Sequence, residues 1–353
     1  MSLGYILLVK DQGERMDFKI IILACLLAGC SASAKVERAN INAPFDGERF
    51  HNYDPRPERS RWDVWKWRFS SNKTEWPEWI DSTPQKVPNE RVNGLSVTFI
   101  NHSTFLIQTD GKNILTDPFF SYRASPFTWI GPKRVRDAGV KMEDLPPIDI
   151  ILISHNHYEH MDKPALEKLH ALFPDAEVYT GLGNIPDVRE TGFKNVTELD
   201  WWEETEFKGL KLAFVPARHF SARTLWDRNM TLWGGFVITN SAGNIYFAGD
   251  TAKGSHDKMI ADKFGEFELS LIPIGAYEPR WFMKYSHTNP EEAVQIHQEI
   301  NSKFSIGGHF GTVQLTDEGI DEPAEGLIKA RKAAGLGDNE FIVPEFGATY
   351  ALR

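Results

Sequence analysis

Ile150-Ile151-Leu152-Ile153-Ser154-His155-Asn156-His157-Tyr158-Glu159-His160-Met161-Asp162 joins an apolar run to nine residues that hold three histidines and two carboxylates. Asp149 to Ser154 is a nearly unbroken apolar run, as suits a strand covered on both faces. His155 and His157 are two apart, so in an extended segment their rings point to the same side. Groups that leave the C-terminal end of a strand converge above the sheet, where α/β proteins keep their sites. Imidazoles and carboxylates at this density suit zinc, with iron and manganese as alternatives. Without a metal, the same cluster gathers polar groups against a core strand at a cost.

The flanking chain reads as sheets covered by helices. Leu95 to Ile100 and Thr104 to Gln108 alternate like half-buried strands, and Asp110-Gly111 makes a tight turn into Asn113 to Thr116. Pro164 to Phe173 reads as a helix with Asp162 near its cap. Val178–Thr180, Lys211–Pro216, Gly235–Thr239, Asn244–Ala248 and Leu269–Pro273 read as strands, and Glu291–Ile300 and Glu325–Ala334 as helices. Three of these stretches end on a further ligand type: His219 follows Val215-Pro216, Asp250 follows Phe247-Ala248-Gly249, and His309 follows Gly307-Gly308, where backbones can approach closely. A lone strand-end His or Asp is usually a satisfied structural group. Four such places in one chain point to a shared metal centre.

The totals set bounds. A chain of 353 residues, 41% hydrophobic and 25% charged, has ample length for one large α/β domain. A net charge of −10 disfavours nucleic acid as partner. The only two cysteines, Cys25 and Cys30, lie near the N-terminus, so a metal in the body must be held by His, Asp and Glu. Residues 1–35 read as an export signal, with Met16 as an alternative start. Its apolar core is too short to span a bilayer comfortably. Residues 36–90 form an arm with five tryptophans, Trp62, Trp65, Trp67, Trp76 and Trp79. These either pack onto the main domain, residues 91–353, or form a lipid-facing wall.

Leu27-Ala28-Gly29-Cys30 resembles a bacterial lipobox, which implies lipidation at Cys30; Ser31 resembles the outer-membrane sorting preference. The alternative is an ordinary signal peptide. His155-x-His157-x-Glu159-His160, His219, Asp250 and His309 resemble the metallo-β-lactamase superfamily, whose pattern is His-x-His-x-Asp-His. The resemblance implies an αββα sandwich, two mixed β-sheets covered by helices, with two divalent metals. His155, His157 and His219 would hold one metal, and Glu159, His160 and His309 the other. Asp250 would bridge them, and Asp117 would orient ligands from behind. Glu159 departs from the pattern. Its extra methylene lengthens the arm by about 1.5 Å, so the second ion could shift, bind more weakly or be absent, with two ions still the expectation.

Leu115 to Ser121, Ala124-Ser125-Pro126, Gly131 to Arg134, Ile153 to Tyr158 and Tyr277 to Lys284, with His287 and Pro290 to Val294, resemble N-acylphosphatidylethanolamine-hydrolysing phospholipase D. That likeness, over residues 60 to 330, implies a membrane-associated enzyme that hydrolyses a glycerophospholipid phosphodiester. A hydroxide shared by two metals would be the nucleophile, and His287 would handle a proton or bind phosphate. Arg280 and Lys284 either hold phosphate or lie solvated on the surface. The rivals are a lactonase or small-ester hydrolase of the same fold, and an envelope interaction protein with a structural metal. The oligomeric state is left open, a dimer included.

Overall fold

The computed structural model describes residues 36, 38, 40–55, 57, 61–81 and 87–352; the export signal and Cys30 lie outside the described residues. The described chain builds two seven-stranded sheets. The first contains β1 (Leu95–Asn101), β2 (Thr104–Thr109), β3 (Lys112–Thr116), β4 (Ile150–Ile153), β5 (Glu177–Gly181) and β6 (Val196–Leu199). The second runs through β7 (Glu204–Phe207), β8 (Leu210–Val215), β9 (Gly235–Asn240), β10 (Gly243–Phe247), β11 (Phe267–Pro273), β12 (Ser305–Gly308) and β13 (Phe341–Ile342), and β14 (Thr349–Leu352) returns to the first. The strand orders are β14-β1-β2-β3-β4-β5-β6 and β13-β12-β11-β10-β9-β8-β7. Both sheets are mixed: antiparallel hairpins lead into parallel pairs, β3–β4–β5–β6 in the first and β10–β11–β12–β13 in the second.

Each local reason can be traced. Asp110 and Gly111 adopt φ of 49° and 71°, the left-handed pair that a two-residue type I′ turn needs. Strand alternation then sorts side chains between two cores. Ile150 and Leu152 join Phe105, Ile107 and Ile114 between the sheets, facing Phe214, Phe236 and Phe247 from the second sheet. Ile151 and Ile153 point the other way, onto Leu166 and Leu169 of α2 (Lys163–Leu172). Each such buried aliphatic stabilises the fold by about 1.5–3 kcal/mol. This explains why β4 is apolar at every position: both of its faces are core.

Helices α2 and α3 (Ile185–Glu190) cover the outer face of the first sheet. Ile260 of α4 (Ser255–Phe264), Ala293 and Ile296 of α6 (Pro290–Glu299) and Leu327 of α7 (Glu322–Ala333) bury against the second sheet. A short α5 (Arg280–Met283) precedes α6. The arm does two things at once. In α1 (Arg61–Ser70), Trp67 stacks on Phe282 at 5.0 Å and donates to Asp317, while Trp62 and Phe69 stay 80% and 79% exposed. Trp76 packs inward and donates to the Glu318 carbonyl. The packing expectation thus describes Trp67 and Trp76, and the other three tryptophans face outward.

Candidate metal centre

The segment after β4 leaves strand geometry at Ser154, and a tight turn over residues 157–161 leads into α2. Asp162 fixes that entry. Its carboxylate caps α2 through Ala165 N and also accepts from Phe120 N, Ser121 N and Ser121 Oγ, at 2.6–3.2 Å. The ligand-bearing turn is therefore tied to the loop after β3. That loop carries Asp117, whose Oδ1 accepts from Ser154 N at 2.7 Å and whose Oδ2 accepts from Ser154 Oγ at 2.6 Å.

Three strand ends, those of β4, β8 and β10, bring one cluster together. His155, His157, His219 and Asp250 each offer a ligand atom, all within 4.8 Å of one another. His155 Nε2 lies 2.8 Å from His157 Nδ1, which is 3.3 Å from His219 Nε2. Asp250 Oδ2 is 3.9 Å from His155 Nε2 and 3.6 Å from His219 Nε2. Two nitrogens on one tetrahedral zinc stand about 3.4 Å apart, given bonds of about 2.0–2.1 Å, so these separations fit a shared ion. A second group meets the same Asp250 oxygen. His160 Nε2 is 3.3 Å and His309 Nε2 3.0 Å from the same Oδ2. His160, His309 and His102 form a set within 4.8 Å.

The outer atoms of the rings are already assigned. His160 Nδ1 is 2.7 Å from Asp117 Oδ2, His219 Nδ1 donates to the Ser286 carbonyl at 2.8 Å, and His155 Nδ1 meets Ser154 Oγ at 2.9 Å. Such partners orient a ligand ring and direct its other nitrogen inward. The inward atoms of His160, His309 and Asp250 are buried with no hydrogen-bond partner among the described residues. Buried polar atoms of native proteins are normally satisfied, and bound metal would supply what these lack. The residues present fit the group.

Electrostatics agree. Burial, before any neighbour, holds His155, His157 and His219 well below their usual value, so they stand as neutral donors. Burial also opposes the Asp250 carboxylate, but His160 and His309 outweigh it and keep that group ionised. His160 is pulled down by burial and pushed further up by Asp250 and Asp117.

Of the residues expected from the sequence, His155, His157, His160, His219, Asp250 and His309 converge, and Asp117 sits behind them. Glu159 does not join any of the groups. Burial raises its carboxyl against the pull of His160. His287 is close, with Nδ1 3.9 Å from Asp250 Oδ2. Arg280 is not a free cation: its guanidinium grips Glu292 at 2.7 and 2.8 Å and donates to the His287 carbonyl at 3.0 Å. Lys284 is exposed, 5.0 Å from the Tyr285 ring. Sequence reasoning passed over His102 and Asn52. Asn52 brackets the His219 backbone, accepting from its N–H at 3.0 Å and donating to its carbonyl at 2.9 Å.

A family model described as a beta-lactamase superfamily domain matches residues 112–310, more than half of the chain. The chain belongs to the metallo-β-lactamase superfamily. It is a metal-dependent hydrolase of that superfamily. An N-acyl-phosphatidylethanolamine-hydrolyzing phospholipase D from Caenorhabditis elegans is 38% identical over 267 residues, 72% of this chain and 75% of the relative. The mitochondrial counterpart from Saccharomyces cerevisiae is 34% identical over 71% of this chain, but the match spans only 55% of the yeast protein. Among solved structures, an isothiocyanate hydrolase from Delia radicum gut bacteria superposes with a TM-score of 0.57 at 22% identity, covering 73% of this chain and 99% of that one. This last likeness bears on the fold of the superfamily member described here, which is the expected two-sheet sandwich.

Proposed function

We propose that this hydrolase cleaves the phosphodiester of a glycerophospholipid, an N-acylated phosphatidylethanolamine first, releasing phosphatidic acid and an N-acylethanolamine. The observation that carries the reading is Asp250 standing between two buried ligand groups. The similarity to phospholipases D of that specificity supports it. In this reading two divalent ions, zinc first, occupy the two groups. When bound, they supply an activated water and positive charge for the phosphoryl oxygens. The chain's own residues do the rest. Asp117 and Ser286 hold His160 and His219 in register. His287, near Asp250 at the rim of the cluster, hands a proton to the departing ethanolamine oxygen. Arg280, tied to Glu292, fixes the His287 backbone rather than gripping phosphate.

A membrane surface fits as the place of action. Trp62, Trp65 and Phe69 lie exposed along α1. Lys66 of α1 sits 5.0 Å over Trp281 in α5, just ahead of His287. Aromatic rings with one apolar and one wet side favour the lipid–water boundary. Export, a lipid on Cys30 and an outer-membrane address belong to the same proposal. The test is incubation with a mixed membrane-lipid extract followed by mass spectrometry. Loss of N-acylated phosphatidylethanolamine with equal gain of both products, abolished by chelation and by His155→Ala, is the expected result. Release of fatty acid and lysolipid instead would assign the chain to carboxyl-ester chemistry.

A further inference from the structure

We propose that His102 supplies a third imidazole to the second metal position, alongside His160 and His309. This rests on the two-metal reading above and concerns a residue outside the ligand set that the superfamily pattern implies. His102 occupies the two-residue turn between β1 and β2 and is 1% exposed. Its ring centroid lies 4.0 Å from that of His309 and 5.4 Å from that of His160. One ring nitrogen from each of the three residues falls within 4.8 Å of the others. Neither nitrogen of His102 has a hydrogen-bond partner among the described residues. A histidine kept for packing would normally have found one.

The backbone holds this residue in place at a cost. His102 adopts φ of 40° and His309 φ of 59°, in the left-handed region that side chains other than glycine rarely enter. His102 N donates to Thr312 Oγ1 at 3.0 Å, and His309 N donates to the His102 carbonyl at 2.6 Å. Gly308 allows that approach: a Cβ there would press the Phe105 ring at 3.1 Å and the His102 carbonyl at 3.3 Å. The turn thus presses the His102 and His309 imidazoles together. Glu159, where the superfamily pattern has an aspartate, joins none of the ligand groups.

The experiment titrates Co²⁺ into metal-stripped full-length protein and follows both calorimetric affinity and the visible ligand-field spectrum. The native chain binds two ions. His102→Gln weakens the second by more than about 100-fold, beyond what loss of an outer partner costs, and leaves the affinity for the first unchanged, while Glu159→Gln binds both ions as the native chain does. A smaller loss in His102→Gln, or loss of the second ion in Glu159→Gln alone, overturns the assignment. A native chain that takes up one ion overturns the two-metal reading and this inference with it. Should His102→Gln not fold, a metal-loaded crystal structure of the native chain decides. A His102 nitrogen within about 2.3 Å of the second ion is expected, and one beyond about 3 Å contradicts it.

Discussion

Asp117 shows what one side chain contributes to this site. It is fully buried, and its two oxygens hold Ser154 at two points and His160 at a third. Asp117→Asn keeps the shape but removes the negative charge facing the His160 ring. Outer partners of this kind are worth about 10–100-fold in metal affinity. That drop, measured by chelator competition on a variant with unchanged secondary structure, is the expected outcome; unaltered affinity would contradict it. The imidazoles also set a pH dependence. In the metal-free chain, burial lowers His102, His155, His157 and His219 below the usual 6.5. The unfolded chain then binds protons that the fold refuses, so their contribution is present above about pH 6.5 and lost as pH falls. His160 is raised, and its contribution runs the opposite way, present below about 6.5 and lost on the alkaline side. Burial lowers His256 and His297 as well, so six groups against one predict a melting temperature that drops between about pH 7.5 and 5.5, which scanning calorimetry reads. His102 could not be seen in the sequence because it stands alone in a short turn. The one available signal was a two-residue hairpin loop reading His-Ser, without the Asn-Gly chemistry such a loop prefers.

At the level of elements, the site depends on how loops are anchored to strand ends. Asp162 both caps α2 and ties the ligand turn to Phe120 and Ser121. Asp162→Ala removes the cap and leaves buried N–H groups unpaired. The expected cost is about 2–4 kcal/mol by denaturant unfolding, combining cap loss with unsatisfied donors; a change below about 0.5 kcal/mol, the range of ordinary surface substitutions, would show that the turn is held by other means. Gly249 plays a similar part before Asp250. At φ of 59°, a Cβ on it would meet Ser154 at 2.6 Å, so glycine lets the strand end close on the ligand loop. Elements with strong local patterns were legible. The β1–β2–β3 meander, the apolar β4 and the capped α2 match the sequence reading within a residue or two. β12 was missed because Ser305-Ile306-Gly307-Gly308 is short and glycine-rich, and is made a strand by its parallel neighbours β11 and β13. β7 was missed for another reason: Glu204-Thr205-Glu206-Phe207 is a polar edge whose order comes from pairing with β8.

On the scale of the whole molecule, two sheets meet so that the first brings Asp117 and His155 to His160, and the second brings His219, Asp250 and His309. Among the described residues no single segment holds a complete site, so bound metal would fasten the sandwich together, and metal loading is expected to raise its melting temperature. The exposed aromatic face of α1 belongs to this scale too. Replacing Trp62 and Phe69 together with serine is expected to reduce co-sedimentation with phospholipid vesicles while leaving turnover of a soluble phosphodiester unchanged. Retained vesicle binding would assign those rings another role. Whether water attacks the phosphorus of the proposed substrate is decided by turning over N-acylphosphatidylethanolamine vesicles in ¹⁸O-labelled water. One ¹⁸O in the phosphatidic acid, none in the N-acylethanolamine, and no product after chelation are expected. Label in the N-acylethanolamine, or in a released fatty acid, would contradict it.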